Sequence, residues 1–513
     1  MPKFRPYHQS QLMFLPPNIK DCLPKDHMCF MVDQVVNSLD LKAVEESYSD
    51  NGCPGYDPAM MVKIIFYAYI QGQRSSRKIE GLTYENIVFK YLSANQNPDH
   101  GTINLFRKNH LQELEKIFAQ IVVMCNGLGM INPKDISIDG TVFKASASKK
   151  NTLDKNQIEK LRNNIKDFLK EADELDELED KKYGKDKRGN EMPEHLVDPK
   201  ARQKAIDELK RKLKLLDQAD AVISRKQESA RTNKEKQKSF SKSINITDPD
   251  AQLMKMKNSK SVYPAYNGQI ATSKQVVLSY DVSQDANDVK NLLPMIKKTE
   301  NNTNIKVKIV KADSVYFSRE NIDGISLKHI DAYIPDKKKS FDEHRESTNS
   351  IPKFDRKNFK YDAKKDCFVC PGKKKLPFVS EHKGYRKYIC GGCQNCKLKS
   401  GCISGKKRYL LISPVLEKYK KDMREKLNSK SGKAKYLERM SDVEPVFANI
   451  VSNLGFKLFH RRGKPQAKTE FGLFCIAHNL VKIFNHLKRS NNFNQNLKEI
   501  IKLNTSTRLQ VAV

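Results

Sequence analysis

Three acidic residues far apart in the chain, Asp139, Asp313 and Glu444, stand where folding would bring carboxylates together. Asp139 ends the stretch DISID, in which Ile136 and Ile138 alternate with polar residues; Asp313 follows a run in which Ile305, Val307 and Ile309 alternate with lysines. A period of two is a strand signature, so each aspartate is expected at a strand edge, where the strand gives way to a turn. Glu444 lies in SDVEPVFANIVSNLGFKLF, which reads as helix. Carboxylates crowded into one volume repel one another and resist joint ionisation. Divalent cations relieve that repulsion: Mg²⁺, or Mn²⁺ in its place, takes hard oxygen ligands from carboxylates, water and phosphate. A pair of such ions activates water or a 3′-hydroxyl and stabilises the leaving oxygen in an in-line attack on phosphorus. Taken singly, each residue also has a plain reading: Asp139-Gly140 as a turn, Asp313-Ser314 as a strand end, Ser441-x-x-Glu444 as a capping box.

A second constellation is sulfur. Six of the eleven cysteines fall between positions 367 and 402, as Cys367-x-x-Cys370, Cys390-x-x-Cys393-x-x-Cys396 and Cys402. Zn²⁺ takes four tetrahedral thiolate or imidazole ligands, and two close groups about twenty residues apart supply them without a large core. An odd and clustered set suits a metal in a reducing compartment better than a disulfide framework; disulfides and free thiols are the alternatives. Other residues read more simply. His478 and Asn479, in an apolar helix, read as packing or DNA-backbone groups and Cys475 as core, while Arg461, Arg462 and Lys464 form either a phosphate clamp or a solvated corner.

The elements that must position these groups follow from the pattern. Residues 1–130 read as a compact helical domain, with Asp57-Pro58 as N-cap and first helical position and 103–125 as a long helix. Between its helices lie 74–81 and 97–108, which put Arg77 and Arg107 at helix ends or on exposed faces, as DNA contacts or as solubilising charge. Segments 131–148 and 246–350 carry the strands, including one over 268–282, and 149–245 is a charged helical hairpin. Its apolar spacing runs Ile158, Leu161, Ile165, Phe168, Leu169 and then Ile206, Leu209, Leu213, Leu216. A connector over 183–195 and a basic stretch over 226–243 belong to it; 351–412 is the cysteine-rich insert, 413–490 is helical and 491–513 is a tail.

The formal charge is +33 and the mean hydropathy −0.67. Such an excess draws in polyanions, so nucleic acid is the natural partner, with a lysine-biased but merely soluble protein as the alternative. No run of eighteen apolar residues is present, which points away from a membrane and to the cytoplasm.

Many separated blocks together resemble one family. RSSRKIEGLTYENIVFKYLSANQNPDHGTINLFRK, SIDGTVFKASAS, DPDAQLM, YNGQIA, ADSVYFSREN, CPGKKKL, VEPVFANIVSNLGFKLFHRRG and CIAHNLVKIF are similar, in the family's order, to bacterial insertion-sequence transposases of the DDE group. The branch is the one with a helical N-terminal domain and a late cysteine cluster. The resemblance implies an α/β (α+β) fold with an RNase H-like core, a mixed central sheet interrupted by the helical insertion and carrying a small zinc-knuckle-like insert. It places the catalytic, Mg²⁺-binding residues at Asp139, Asp313 and Glu444, with two ions. It favours Cys370, Cys393, Cys396 and Cys402 as a structural Zn²⁺ set, with Cys367 and Cys390 as substitutes. Tyr436 and Arg439 would contact DNA near the cut, with Arg77, Arg107, Arg461 and Arg462 as further contacts. The implied partners are the element's terminal inverted repeats, target DNA and a second copy in a synaptic dimer, at the bacterial nucleoid. One departure stands out: Val451 occupies the place of a lysine expected two helical turns after Glu444, roughly 10 Å along the same face. A decayed, inactive copy that only binds DNA, or a metal-dependent nuclease without strand transfer, are the rival functions.

Overall fold

The computed structural model describes residues 18–48, 54–183, 199–231, 243–256, 261–336, 353–382, 384–403 and 405–489. The first part is helical: α1 Met28–Ser38, α2 Lys42–Glu45, α3 Pro58–Ile70, α4 Ser76–Glu85, α5 Ile87–Leu92, α6 His100–Asn109 and α7 Leu111–Gly127. The Asp57 carboxylate accepts from the Met60 N–H at 2.9 Å and so caps α3, while Pro58 fills a position where no N–H is needed. Every residue of α3 from Met60 to Ile70 except Lys63 is buried, the pattern of a helix surrounded by protein.

The two segments expected between helices are themselves largely helical, as α4 and α6. Asp99 caps α6 by accepting from the Thr102 N–H at 2.9 Å. The helical period expected to run unbroken through 103–125 is interrupted at His110, between α6 and α7. The hydrophobic core runs without a break from Cys29 on α1 to Leu487 near the end of the described chain. The N-terminal helices therefore share one apolar cluster with the sheet.

That sheet has six strands: β1 Asp135–Lys144, β4 Gln252–Lys255, β5 Val262–Ser273, β6 Val276–Ser283, β7 Ile309–Ala312 and β8 Asp331–Tyr333. β5 and β6 are an antiparallel hairpin, β5 runs antiparallel to β1, and β1, β7 and β8 are parallel to one another. The path across the sheet is thus β6-β5-β1-β7-β8, with β4 also on β5. Helices cover it: α10 Leu292–Thr303 packs on β6 and β5, and α11 Arg319–Leu327 packs on α10. α13 Pro414–Asn428 lies beside α14 Lys430–Ala448, which lies on β1, and α15 Lys464–Arg489 packs on β6, α7 and α3. Tyr280 of β6 presses so closely on α15 that a Cβ at Gly472 would meet its hydroxyl at 2.3 Å, so only glycine fits there. The result is a mixed helix-and-sheet fold.

Two smaller units branch from it. α8 Lys155–Tyr183 and α9 Pro199–Arg231 rise from a ladder of β2 Thr152–Asp154 with β3 Ser243–Asn245. Ile158, Ile165, Leu216, Ala219 and Ile223 form a core of their own there, with Leu161, Leu169, Leu209 and Leu213 at its margin. The connector expected over 183–195, the basic stretch over 226–243 and the tail at 491–513 lie largely or wholly outside the described residues. The other unit is an antiparallel sheet of β9 Lys360–Asp362, β10 Cys367–Val369, β11 Lys375–His382, β12 Tyr385–Ile389 and β13 Tyr409–Ile412, followed in order across the sheet. A short helix, α12 Lys399–Cys402, sits between its last two strands. Among the described residues no helix is long and apolar enough to cross a membrane.

Candidate active site

Parallel pairing of β1 with β7 runs from Asp135 opposite Ile309 to Ile138 opposite Ala312. The next residues are Asp139 and Asp313, so the register sets the two aspartates level on adjacent strands, whose spacing is about 4.8 Å. Asp139 is not in a turn, as its Asp-Gly dipeptide suggested. β1 continues to Lys144, still paired with β5, and Asp139 sits where its parallel neighbour stops. Asp313 ends its strand as expected, but that strand is short: only Ile309–Ala312 are paired, and Ile305 and Val307 precede it. The Asp313 carboxylate accepts from the Ser314 N–H and opens a single 3₁₀ turn over Ser314–Tyr316.

One helix lies over this pair. Arg439 of α14 reaches Asp139, Nη1 to Oδ2, at 3.1 Å, with the two side chains 12% and 17% exposed. Burial works against the Arg439 charge, yet the fields of Asp139, Tyr436 and Asp313 hold its pKa above the ordinary value. Its guanidinium lies 5.8 Å from the centre of the half-buried Tyr436 ring. The same face of α14 is tied down by Lys311 of β7, only 2% exposed, whose ammonium meets Asp135 at 3.0 Å, Glu438 at 3.0 Å and Asp442 at 3.3 Å. Asp442 also accepts from Ser137 Oγ at 2.8 Å, and Lys435 pairs with Asp135. Sequence reading missed this lock. Its signal was a charged set at helical spacing, Lys435, Glu438, Arg439 and Asp442, facing a lysine two residues before Asp313.

Glu444 is placed differently. It is exposed, five residues beyond Arg439 and therefore about 140° round an ideal helix from the face that meets Asp139. Ser441 lies in mid-helix and donates to the Glu438 carbonyl at 2.9 Å, so no capping box forms. Pro445 lies inside α14 immediately after Glu444, and Asn449–Asn453 form a π turn. The wider turn shifts the helical phase, so Val451 does not repeat the position of Glu444 two turns on; it is half-buried against the core. The structure thus brings Asp139, Asp313 and Arg439 together and leaves Glu444 on the outer side of the helix above them. Among the described residues, no three His, Cys, Asp or Glu side chains stand close enough to share a metal ion.

The opposite face of the sheet supports the pair from below. Gln269 of β5 is opposite Gly140, and a Cβ on Gly140 would lie 1.9 Å from the Gln269 amide and 2.6 Å from an Asp288 oxygen. That crowding is why glycine follows Asp139. Asp288 Oδ1 accepts from Asn267 Nδ2 and Gln269 Nε2, each at 2.5 Å, and the buried Tyr316 donates to Gln269 Oε1 at 2.6 Å. Burial, then the neighbouring charges of Asp288, Asp139 and Asp313, push the Tyr316 pKa well up and keep it a neutral donor.

Of the other expected contacts, Arg77 is exposed on α4 and Arg462 is exposed, donating to the Ser146 carbonyl at 3.1 Å. Arg107 lies in the last turn of α6, the helix-end placement expected, but is 4% exposed, donating to the Arg74 carbonyl at 2.8 Å and the Tyr69 hydroxyl at 3.3 Å. It ties α6 to the chain before α4. Arg461 is partly buried, spanning Gln466 at 2.6 Å and Asn104 at 2.8 Å. Nearby, Glu470 accepts the His460 and Arg461 N–H groups, each at 3.0 Å, and burial raises its pKa.

In the cysteine-rich unit, Cys370, Cys390, Cys393, Cys396 and Cys402 line one cavity of about 20 Å³, but no three of them stand together as a ready set of metal ligands. The Lys374 N–H donates to Cys370 Sγ at 3.2 Å and the Arg408 N–H to Cys393 Sγ at 3.4 Å, while burial pushes the Cys390 and Cys402 thiols up. Cys367, on β10, is buried and does not line that cavity.

Residues 369–484 match the family described as Transposase DDE domain, and residues 17–109 match the one described as Transposase domain (DUF772). The first spans the cysteine cavity, α14 and α15, and the second spans α1 to α6. No curated protein and no solved structure matches the chain.

Proposed function

We propose, from the premise that the chain belongs with the insertion-sequence DDE transposases, that it cuts the ends of a DNA element and joins them to target DNA through Asp139, Asp313 and Glu444. The observation that carries this reading is the β1–β7 register, which sets two carboxylates side by side at a strand end beneath an arginine. The strand path, with an antiparallel hairpin on one side of β1 and parallel strands on the other, supports an RNase H-like core.

Asp139 and Asp313 supply hard oxygen ligands suited to Mg²⁺ or Mn²⁺. Bound there, two such ions would supply an activated water or 3′-hydroxyl and a stabilised leaving oxygen. Arg439, beside both aspartates, offers a guanidinium to a phosphate oxygen. Glu444 completes the set when the helix end around Pro445 closes on DNA. The five-cysteine cavity is read as a structural Zn²⁺ site, and the +33 charge supports DNA as the partner, held by a dimer at the paired ends.

The test uses labelled duplexes carrying the inverted repeats that flank the gene. The wild type should yield cut and joined products with Mg²⁺ and none with EDTA. Asp139→Asn, Asp313→Asn and Glu444→Gln should each lower the rate at least about a hundredfold while leaving end binding intact. A wild type no faster than Asp139→Asn sinks the catalytic claim, and cutting without joining assigns a nuclease. Should Asp442→Asn or Glu438→Gln abolish cutting while Glu444→Gln does not, the third ligand is one of the inward-facing acids. The outward placement of Glu444 also favours a second reading, a decayed copy that binds ends without product.

A further inference from the structure

A cleft of about 760 Å³ lies away from the aspartates, between the cysteine-rich sheet and α13. Its floor is aromatic. Tyr361 and Phe368 lie opposite one another on β9 and β10 with ring centres 4.9 Å apart, and Tyr388 of β12 meets Phe368 edge-on at 4.9 Å. Tyr361 lines the cleft and remains 49% exposed, with its hydroxyl donating to Asp366 at 2.9 Å. The Arg386 guanidinium lies over Tyr388 at 5.7 Å and is held there by Asp366 at 2.6 Å.

The walls are cationic. Six lysines and arginines line the cleft against three carboxylates, and the carboxylates act as braces. Asp336 holds Arg424 through two bonds at 2.6 and 2.9 Å, and Glu417 is shared by Arg356 at 2.9 Å and Lys420 at 3.0 Å. Lys421 is exposed at the rim. The chain that leaves Asp313 touches two of the elements that flank the cleft. Phe317 packs on Tyr419 of α13 at 5.7 Å, and Gly384, in the turn between β11 and β12, lies directly against the Arg319 guanidinium.

Flat rings below and fixed cations around suit a flat, anionic guest. A duplex is too broad to enter, whereas one unstacked base fits and carries its phosphate to the rim. The geometry points to this cleft as the seat of an unpaired nucleotide of the DNA strand being processed, stacked on Tyr361 with its phosphate toward Lys421. This rests on the DNA-processing reading above, and deepens it by naming what the enzyme holds beside the cut.

The experiment compares two probes on the full chain: a blunt DNA hairpin, and the same hairpin with a four-nucleotide 3′ overhang containing 2-aminopurine. The wild type should bind the overhang about tenfold more tightly than the blunt form and quench 2-aminopurine by stacking. Tyr361→Ala should lose both the preference and the quenching while retaining blunt-hairpin affinity, and Tyr361→Phe, which keeps the ring, should restore both. Equal affinity for the two probes in the wild type, or unchanged preference in Tyr361→Ala, overturns the proposal. So does displacement of the overhang by micromolar free dAMP, which would assign the cleft to a free nucleotide. Failure to bind even the blunt hairpin would instead strike the DNA-processing reading itself.

Discussion

His478 shows how a residue that tempts a catalytic reading is used for structure. It is 1% exposed; its Nε2 donates to the Gln275 carbonyl at 2.8 Å, which leaves Nδ1 to accept from Asn449 Nδ2 at 2.9 Å. Only the neutral ring fits both bonds, and burial lowers its pKa to about 4. The unfolded chain binds this proton at its ordinary value near 6.5, so acid favours unfolding. The stabilisation is fully present above pH 6.5 and is lost as pH falls from 6.5 to about 4, by an amount on the order of 3 kcal/mol. Urea unfolding at pH 7.0 and 4.5 should therefore show a smaller loss in His478→Gln than in the wild type; equal losses refute this account. The packing role of His478 was legible because it follows the apolar run FGLFCIA within its helix. Arg107 was not, since a basic residue at a helix end gives no local sign that Tyr69 and the Arg74 carbonyl will enclose it.

At the scale of elements, α14 is fixed by charge more than by apolar contact with the sheet. Lys311 is the cation shared by Asp135, Glu438 and Asp442; its removal leaves the largely buried Asp442 without its cation, while Lys435 still pairs with Asp135 and Glu438. Lys311→Met should cost about 3 kcal/mol of stability and loosen the Arg439–Asp139 contact. Lys311→Met combined with Asp442→Asn should recover part of that loss, because one unneutralised charge is then gone. Denaturant midpoints of the three proteins test this, and a double variant no more stable than the single one argues against the shared-cation account. The strand alternation before Asp139 was readable; before Asp313 it was only partly so, since Ile305 and Val307 lie outside the paired Ile309–Ala312, and the register that levels the two aspartates has no mark in the sequence. The continuation of β1 past Gly140 was not readable either: glycine reads as a breaker, and its real cause, the Gln269 and Asp288 side chains beneath it, comes from elsewhere in the chain. The π turn after α14 was equally hidden, because a 3.6-residue period offers no mark for one added residue.

For the whole molecule, the order of elements was visible in the sequence while the sharing of cores was not. The N-terminal helices and the central sheet merge into one apolar cluster, whereas the cysteine-rich sheet stands on Phe359, Leu376, Tyr388, Leu410 and two of its own cysteines. Five short strands over so few apolar residues bury too little surface to offset their ordering, the usual condition of small units that fold around a metal. On the Zn²⁺ reading proposed above, the thiols that line the 20 Å³ cavity would supply what the packing lacks, since binding free energy at such a site is folding free energy. Purified protein should carry about one Zn²⁺ per chain. Its removal by a chelator should expose the amides of β10 to β13 to hydrogen exchange while those of β5 and β6 stay protected. Such a protein would lose the floor of the aromatic cleft yet keep the register of Asp139 with Asp313. Absence of bound metal, or unchanged protection of β10 to β13 after chelation, would show that this sheet holds itself together by side-chain packing alone.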